Sequence, residues 1–140
     1  MKDFKDFIES GEVRVQRKNE ILASALIKSS EKSETYIRKQ KIDTESAEHI
    51  VAEIYDIIRE LIEAKLSLEG YKSYSHEANI LFLKKFPIFE ESEIIFMDNL
   101  RKIRNGIKYC GKEASIEDAN KTIKFFNTML PKLKKLVNIK

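Results

Sequence analysis

The feature that most constrains this chain is a series of apolar residues near its end: Ile116, Ala119, Ile123, Phe126, Leu130, Leu133 and Val137. Their steps alternate between three and four. That spacing lines one face of a helix and scatters across both faces of a strand. A second series, Ile50, Ile54, Ile57, Leu61, Ala64 and Leu68, repeats the pattern on one face of a helix roughly seven turns long. Two long amphipathic helices are therefore the starting point. Only four Gly and two Pro interrupt 140 residues, too few for the turns of a sandwich or barrel. With 42% hydrophobic and 35% charged residues, the chain can bury a real core and still present a charged surface. One domain covering 1–140 fits this length.

Local signals divide the rest. Phe4, Phe7 and Ile8 predict a short helix over 2–9, ended by Gly11. A long helix is expected over about 16–40, with Ile21, Ala25, Ile27, Tyr36 and Ile37 as its apolar points, though their period is imperfect. The next begins after Asp43 or Thr44, either of which can cap free N–H groups, with Glu45 at the positive end of the dipole. Gly70 is its natural stop. Ser73 is positioned to cap a helix over about 74–85, limited by Pro87. Glu91 and Glu93 suit the start of another, whose core face is Phe96, Leu100, Ile103 and Ile107, with Gly111 in the following turn. Ser115 and Asp118 form an acidic variant of the capping box before the last helix. Pro131 is expected to bend that helix or end a first segment near Leu130. No helix reads as apolar all round, so each stripe needs a partner. The expectation is an all-α, antiparallel up-and-down bundle of four principal helices with one or two short extra helices.

Charge is unevenly shared. Residues 1–70 carry 12 basic and 15 acidic side chains, and residues 71–140 carry 14 and 8. The last twenty residues hold six Lys and no acid. This asymmetry suits a polyanion such as RNA, and equally a solvated helix face with a basic tail. The start, MKDFKDFIES, has no apolar run, and no stretch reaches the length of a membrane span. The single Cys110 allows no internal disulfide, so a cytoplasmic setting without membrane association is expected.

Motifs for familiar chemistry are missing from the sequence. There is no HExxH and no paired Cys, only His49 and His76, so neither a metal nor a cofactor is expected. One stretch stands out: Arg101, Lys102, Arg104, Lys108 and Lys112 fall within twelve positions. Arg101, Arg104 and Lys108 share one side of a helix, while Leu100, Ile103 and Ile107 point to the core. Arg104 sits at the edge of that apolar stripe, where its stem can pack and its guanidinium can face a groove or a partner. Asn105 and Tyr109 can add hydrogen bonds, Tyr109 only if the helix tightens or stops near Gly106. Basic residues near a helix C-terminus are also favourable for purely structural reasons, by about 0.3–1 kcal/mol each. His76 falls in the first turn of a helix, where a charged imidazolium is disfavoured, so it reads as neutral, hydrogen-bonded and structural. Tyr71 and Tyr74 read as cover for the end of the bundle.

The stretches EAKLSLEGYKSYSHEANILFLKKF (Glu63–Phe86) and RKIRNGIKYCGKEASIEDA (Arg101–Ala119), followed by the last amphipathic helix, resemble the HEPN superfamily of small helical bundles. The likeness is to the short prokaryotic members paired with a minimal nucleotidyltransferase. It implies a homodimer, and in many members a toxin ribonuclease whose groove forms between two copies from an arginine, a polar residue and a nearby histidine. Arg104 and Asn105 match the first two. Tyr109 stands where histidine is expected, and His76 matches a different, structural landmark. Tyrosine, with a pKa near 10, is a poor base for activating a ribose hydroxyl, whereas histidine suits that task. Three expectations follow. The first is a dimeric RNA-associated or toxin–antitoxin module with weak or no nuclease activity, using Arg101, Arg104, Lys108 and Lys112 for nucleic acid. The second is a metal-independent endoribonuclease built on Arg104, Asn105 and Tyr109. The third is a protein-interaction or substrate-binding module for a nucleotidyltransferase-like partner. In each, His76, Gly70 and Gly111 are structural.

Overall fold

A computed structural model describes residues 2–138, leaving Met1, Ile139 and Lys140 (the last of the six tail lysines) outside the description. The elements run α1 (Phe4–Glu9), β1 (Val13–Val15), α2 (Glu20–Arg38), α3 (Ala47–Glu69), β2 (Tyr71–Ser73), α4 (His76–Phe82) with a 3-10 turn at Leu83–Lys85, α5 (Glu91–Cys110) and α6 (Ile116–Leu136). Four long helices, α2, α3, α5 and α6, form an all-α domain with short extras. The Asn19 N–H before α2 bonds the Ser67 carbonyl near the end of α3, so those two run antiparallel. Glu34 and Arg38 of α2 meet Lys134 and Asn127 of α6, again antiparallel. Glu93 at the start of α5 grips Lys132 near the end of α6, which sets α5 against α6 as well.

α3 is the axis of the fold. From Ile50 to Gly70 none of its side chains is fully exposed. Ile54, Tyr55, Ile57, Ile58 and Ile62 are almost completely buried, on several sides of the helix. The expectation that no helix would be wrapped all round is thus corrected: α2, α5 and α6 all pack on α3. Its charged residues survive there as half-buried pairs, Arg59 with Glu63 at 2.9 Å and Lys65 with Glu69 at 3.4 Å. Among the described residues no helix is long and apolar enough to cross a membrane.

Several boundaries differ from those expected. Residues 16–19, expected to open a helix, lie outside any helix and follow β1, which pairs antiparallel with β2, Val13 opposite Ser73 and Val15 opposite Tyr71. α2 starts only where the Asn19 side chain accepts the Leu22 N–H. Its core contacts come from Ala23, Leu26, Ile27 and Ile37, while Ile21, Ala25 and Tyr36 face solvent. Ser73 belongs to β2, and Ser75 caps α4 by accepting the Ala78 N–H. Asp43 does serve the start of α3: its carboxylate accepts the N–H groups of Glu45 and Ser46. Gly70 ends α3 in the left-handed region at φ 85°. A Cβ there would lie 2.8 Å from the Gln16 carbonyl oxygen, so no side chain fits. The Ser115–Asp118 box forms as expected. Pro131 neither ends nor splits α6: the helix runs through it from Ile116 to Leu136, with Pro131 exposed and Leu130 and Leu133 buried on either side.

Candidate functional site

The basic stretch on α5 is oriented differently from its sequence pattern. The buried positions of α5 are Glu93, Ile94, Met97, Leu100, Arg104 and Gly106. Ile103, expected in the core, is 45% exposed, and Arg104, expected at its edge, is 8% exposed. The apolar stripe slips outward after Leu100 because α3 presents an acid at that level. Arg104 Nη2 lies 3.1 Å from Asp56 Oδ1. Arg59 Nε lies 3.6 Å from the same oxygen. Neither contact is aligned as a hydrogen bond: Asp56 Oδ1, Arg59 Nε and Arg104 Nε are all buried without a hydrogen-bond partner. The carboxylate is therefore held between two guanidinium groups mainly by charge.

Arg104 also lies within cation–π range of two rings, 5.6 Å from Tyr55 and 5.9 Å from Tyr109. Its Nη1 donates a long bond of 3.4 Å to Asn105 Oδ1. Tyr109 reaches Arg104 although α5 continues past it to Cys110, so a stop near Gly106 is not what brings them together. The end of α5 widens instead: the N–H groups of Gly111 and Lys112 both bond the Gly106 carbonyl, five and six residues back. Gly111 takes a left-handed conformation there, as its expected turn role requires. The Lys112 stem folds over Gly106, where a Cβ would meet Lys112 Cδ at 3.0 Å.

Opposite Arg104 stands His76, the first residue of α4. Its Nδ1 is 3.2 Å from the Tyr55 hydroxyl, and the two rings are parallel within 5° at 6.2 Å. Burial pushes the Tyr55 phenol up to about 12, against the pull of Arg59, Arg101 and Arg104. Burial also lowers the His76 pKa from its usual 6.5, and Arg59 and Arg104 lower it further, while Glu63 and Asp56 oppose. His76 is thus held neutral near pH 7, as expected, but it is not enclosed. It lines an open cleft of about 320 Å³ with Ser75, Glu77, Arg101, Arg104, Asn105 and Tyr109.

The structure therefore brings together four of the residues singled out on α5, Arg101, Arg104, Asn105 and Tyr109, and joins His76 to them. Lys108 and Lys112 do not line the cleft. Arg101 is held by Asp98 through 3.0 Å contacts. Tyr55 and Asp56 were missed, since they sit inside the most apolar helix. The one available signal was an acid and an arginine, Asp56 and Arg59, one turn apart within that apolar run. Tyr71 covers the bundle end as expected, packing edge-on against Phe4 at 5.2 Å. Tyr74 does not: it is 63% exposed beneath Arg14 and Lys72. Cys110 is exposed. Among the described residues, no three His, Cys, Asp or Glu side chains gather where they could hold a metal ion.

Chemically, the cleft offers planar cationic donors, a neutral imidazole, an amide and an exposed phenol, with Ser75 and the carboxylate of Glu77 also in its lining. That set suits an anion flanked by a flat group. No protein-family model matches this chain, and neither a curated protein nor a solved structure matches it.

Proposed function

We propose that the protein is a dimeric HEPN-like module that binds RNA through the α4–α5 cleft, with weak or no nuclease activity, in a toxin–antitoxin setting beside a nucleotidyltransferase-like partner. One observation carries the reading. Arg104 lies in the wall of an open cleft with its Nη donors underused: Nη1 makes one long bond of 3.4 Å to Asn105, and Nη2 meets Asp56 at 3.1 Å without hydrogen-bond alignment. A buried guanidinium with unspent donors is costly unless something accepts from it, and a phosphate oxygen is a fitting acceptor. Tyr109, 74% exposed at the cleft, offers a ring on which a base can stack. Pairing of two copies is supported by an apolar groove between α4 and α5, lined by Ile80, Leu81, Ile94 and the exposed Ile95.

The test is a salt series with a short single-stranded RNA. Binding weakens as salt rises, because each neutralised phosphate releases counterions. Arg101→Ala lowers the salt slope by about one. Tyr109→Ala costs about 1–3 kcal/mol of affinity. Binding that ignores both salt and these substitutions sinks the proposal.

A second reading, endoribonuclease activity, is favoured by His76 beside Arg104, because imidazole is the proton-transfer group that Tyr109 cannot replace. Incubation of purified protein with varied RNAs in EDTA, beside a His76→Gln sample, separates the two. Cleavage that disappears with His76→Gln supports the second reading. Intact RNA in both samples leaves the binding module.

A further inference from the structure

The pair Tyr55–His76 has no role in merely holding an anion by charge. Tyr55 is 1% exposed, and its hydroxyl has a single side-chain partner among the described residues, His76 Nδ1. A buried hydroxyl needs an acceptor, and unprotonated Nδ1 supplies one. Tyr55 therefore donates to Nδ1. In the neutral ring the proton then sits on Nε2, the ring nitrogen not engaged by Tyr55.

The groups around His76 are mixed in sign. α3 presents Tyr55, Asp56, Arg59 and Glu63, α5 presents Arg101, Arg104 and Tyr109, and Glu77 follows it on α4. The carboxylates of Asp56 and Glu63 are committed to Arg104 and Arg59. An anion drawn to Arg104 enters the same cleft as His76. There it opposes the positive field of Arg59 and Arg104, which adds to burial in keeping the ring neutral.

We infer that an anion enters this cleft together with a proton, which His76 takes up at Nδ1 while the Tyr55 hydroxyl turns to accept from that nitrogen, and that Tyr55 is the positioning residue that aims the Nε2 edge of the imidazole at the anion. The ligand class is a phosphodiester or phosphate, and the inference rests on the anion-binding reading of the same cleft. By linkage, affinity is highest below the pKa of His76 in the free protein. It falls as pH rises from that value through the higher pKa in the complex, by up to tenfold per pH unit, because one proton is exchanged.

The experiment uses the full chain and a 2′-O-methyl oligouridylate, which a 2′-hydroxyl attack cannot cleave. Calorimetry in two buffers of different ionisation enthalpy counts the protons taken up on binding, across pH 5 to 8. The wild type takes up a fraction of a proton that approaches one at its maximum. His76→Gln still binds but takes up none. Tyr55→Phe keeps the ring in place and removes the donor to Nδ1, so the His76 midpoint followed by NMR moves upward. A merely space-filling Tyr55 would leave that midpoint unchanged, which would refute its positioning role. Binding by the wild type with no proton uptake, or uptake that persists in His76→Gln, overturns the inference and leaves RNA binding standing. No binding at any pH in low salt overturns both.

Discussion

α5 and α6 carry similar apolar stripes and meet opposite fates. α6 buries Ala119, Phe126, Leu130, Leu133 and Val137 almost as its spacing dictates. α5 begins the same way with Met97 and Leu100, then turns Arg104 inward and leaves Ile103 in solvent. The difference lies in the helix each faces. At α6, α3 offers isoleucines: Ile50 and Ile54 share a pocket with Ile123 and Phe126. At α5, the same helix offers Tyr55 and Asp56. Burial thus follows what stands across the interface as much as the period of the helix itself. One interface is a hydrophobic seam, and the other is a polar seam opened into a cleft.

This contrast can be broken in order of size. Phe126→Ala removes a fully buried ring from the seam and costs about 3–5 kcal/mol, read as a lowered midpoint in urea unfolding. Arg104→Ala leaves Asp56 with only Arg59 and costs about 2–3 kcal/mol. The double variant Arg104→Met, Asp56→Leu makes the polar seam apolar. It recovers wild-type stability or exceeds it, and the proposed RNA binding is lost with the Arg104 guanidinium. A double variant less stable than Arg104→Ala alone would show that the ion pair, not its desolvation, dominates. Ile103→Gln, on the face that spacing assigns to the core, changes stability by less than about 0.5 kcal/mol in the same unfolding experiment.

The sequence made the seam legible and hid the cleft, for the same reason. Apolar periodicity reports which faces must leave water, and α3 and α6 announce theirs over many turns. It treats every arginine as a surface residue, so Arg104 could only be placed at an edge. The acid that draws it inward is 48 positions away, and no local pattern links the two. His76 suffered similarly: its own helix turn correctly suggested a neutral ring with a partner, yet nothing local said that the ring faces Arg104. β1 and β2 escaped because three residues are too few for an alternating pattern to register. Ser75 was passed over for Ser73, a choice between two hydroxyls that only the pairing of β2 decides.

The small ribbon of β1 and β2 has a consequence for the order of assembly. α2 and α3 follow one another along the chain and pack as a hairpin, but Val13 must find Ser73 after both have been laid down between them. Closing a segment of that length is entropically expensive compared with nucleating a helical turn, and the gain is three residue pairs. The helical hairpin therefore condenses first and serves as a template. The leading segment, with Phe4 and Phe7, then latches onto it as the closing stroke of folding, so substitutions there accelerate unfolding and leave the folding rate nearly untouched.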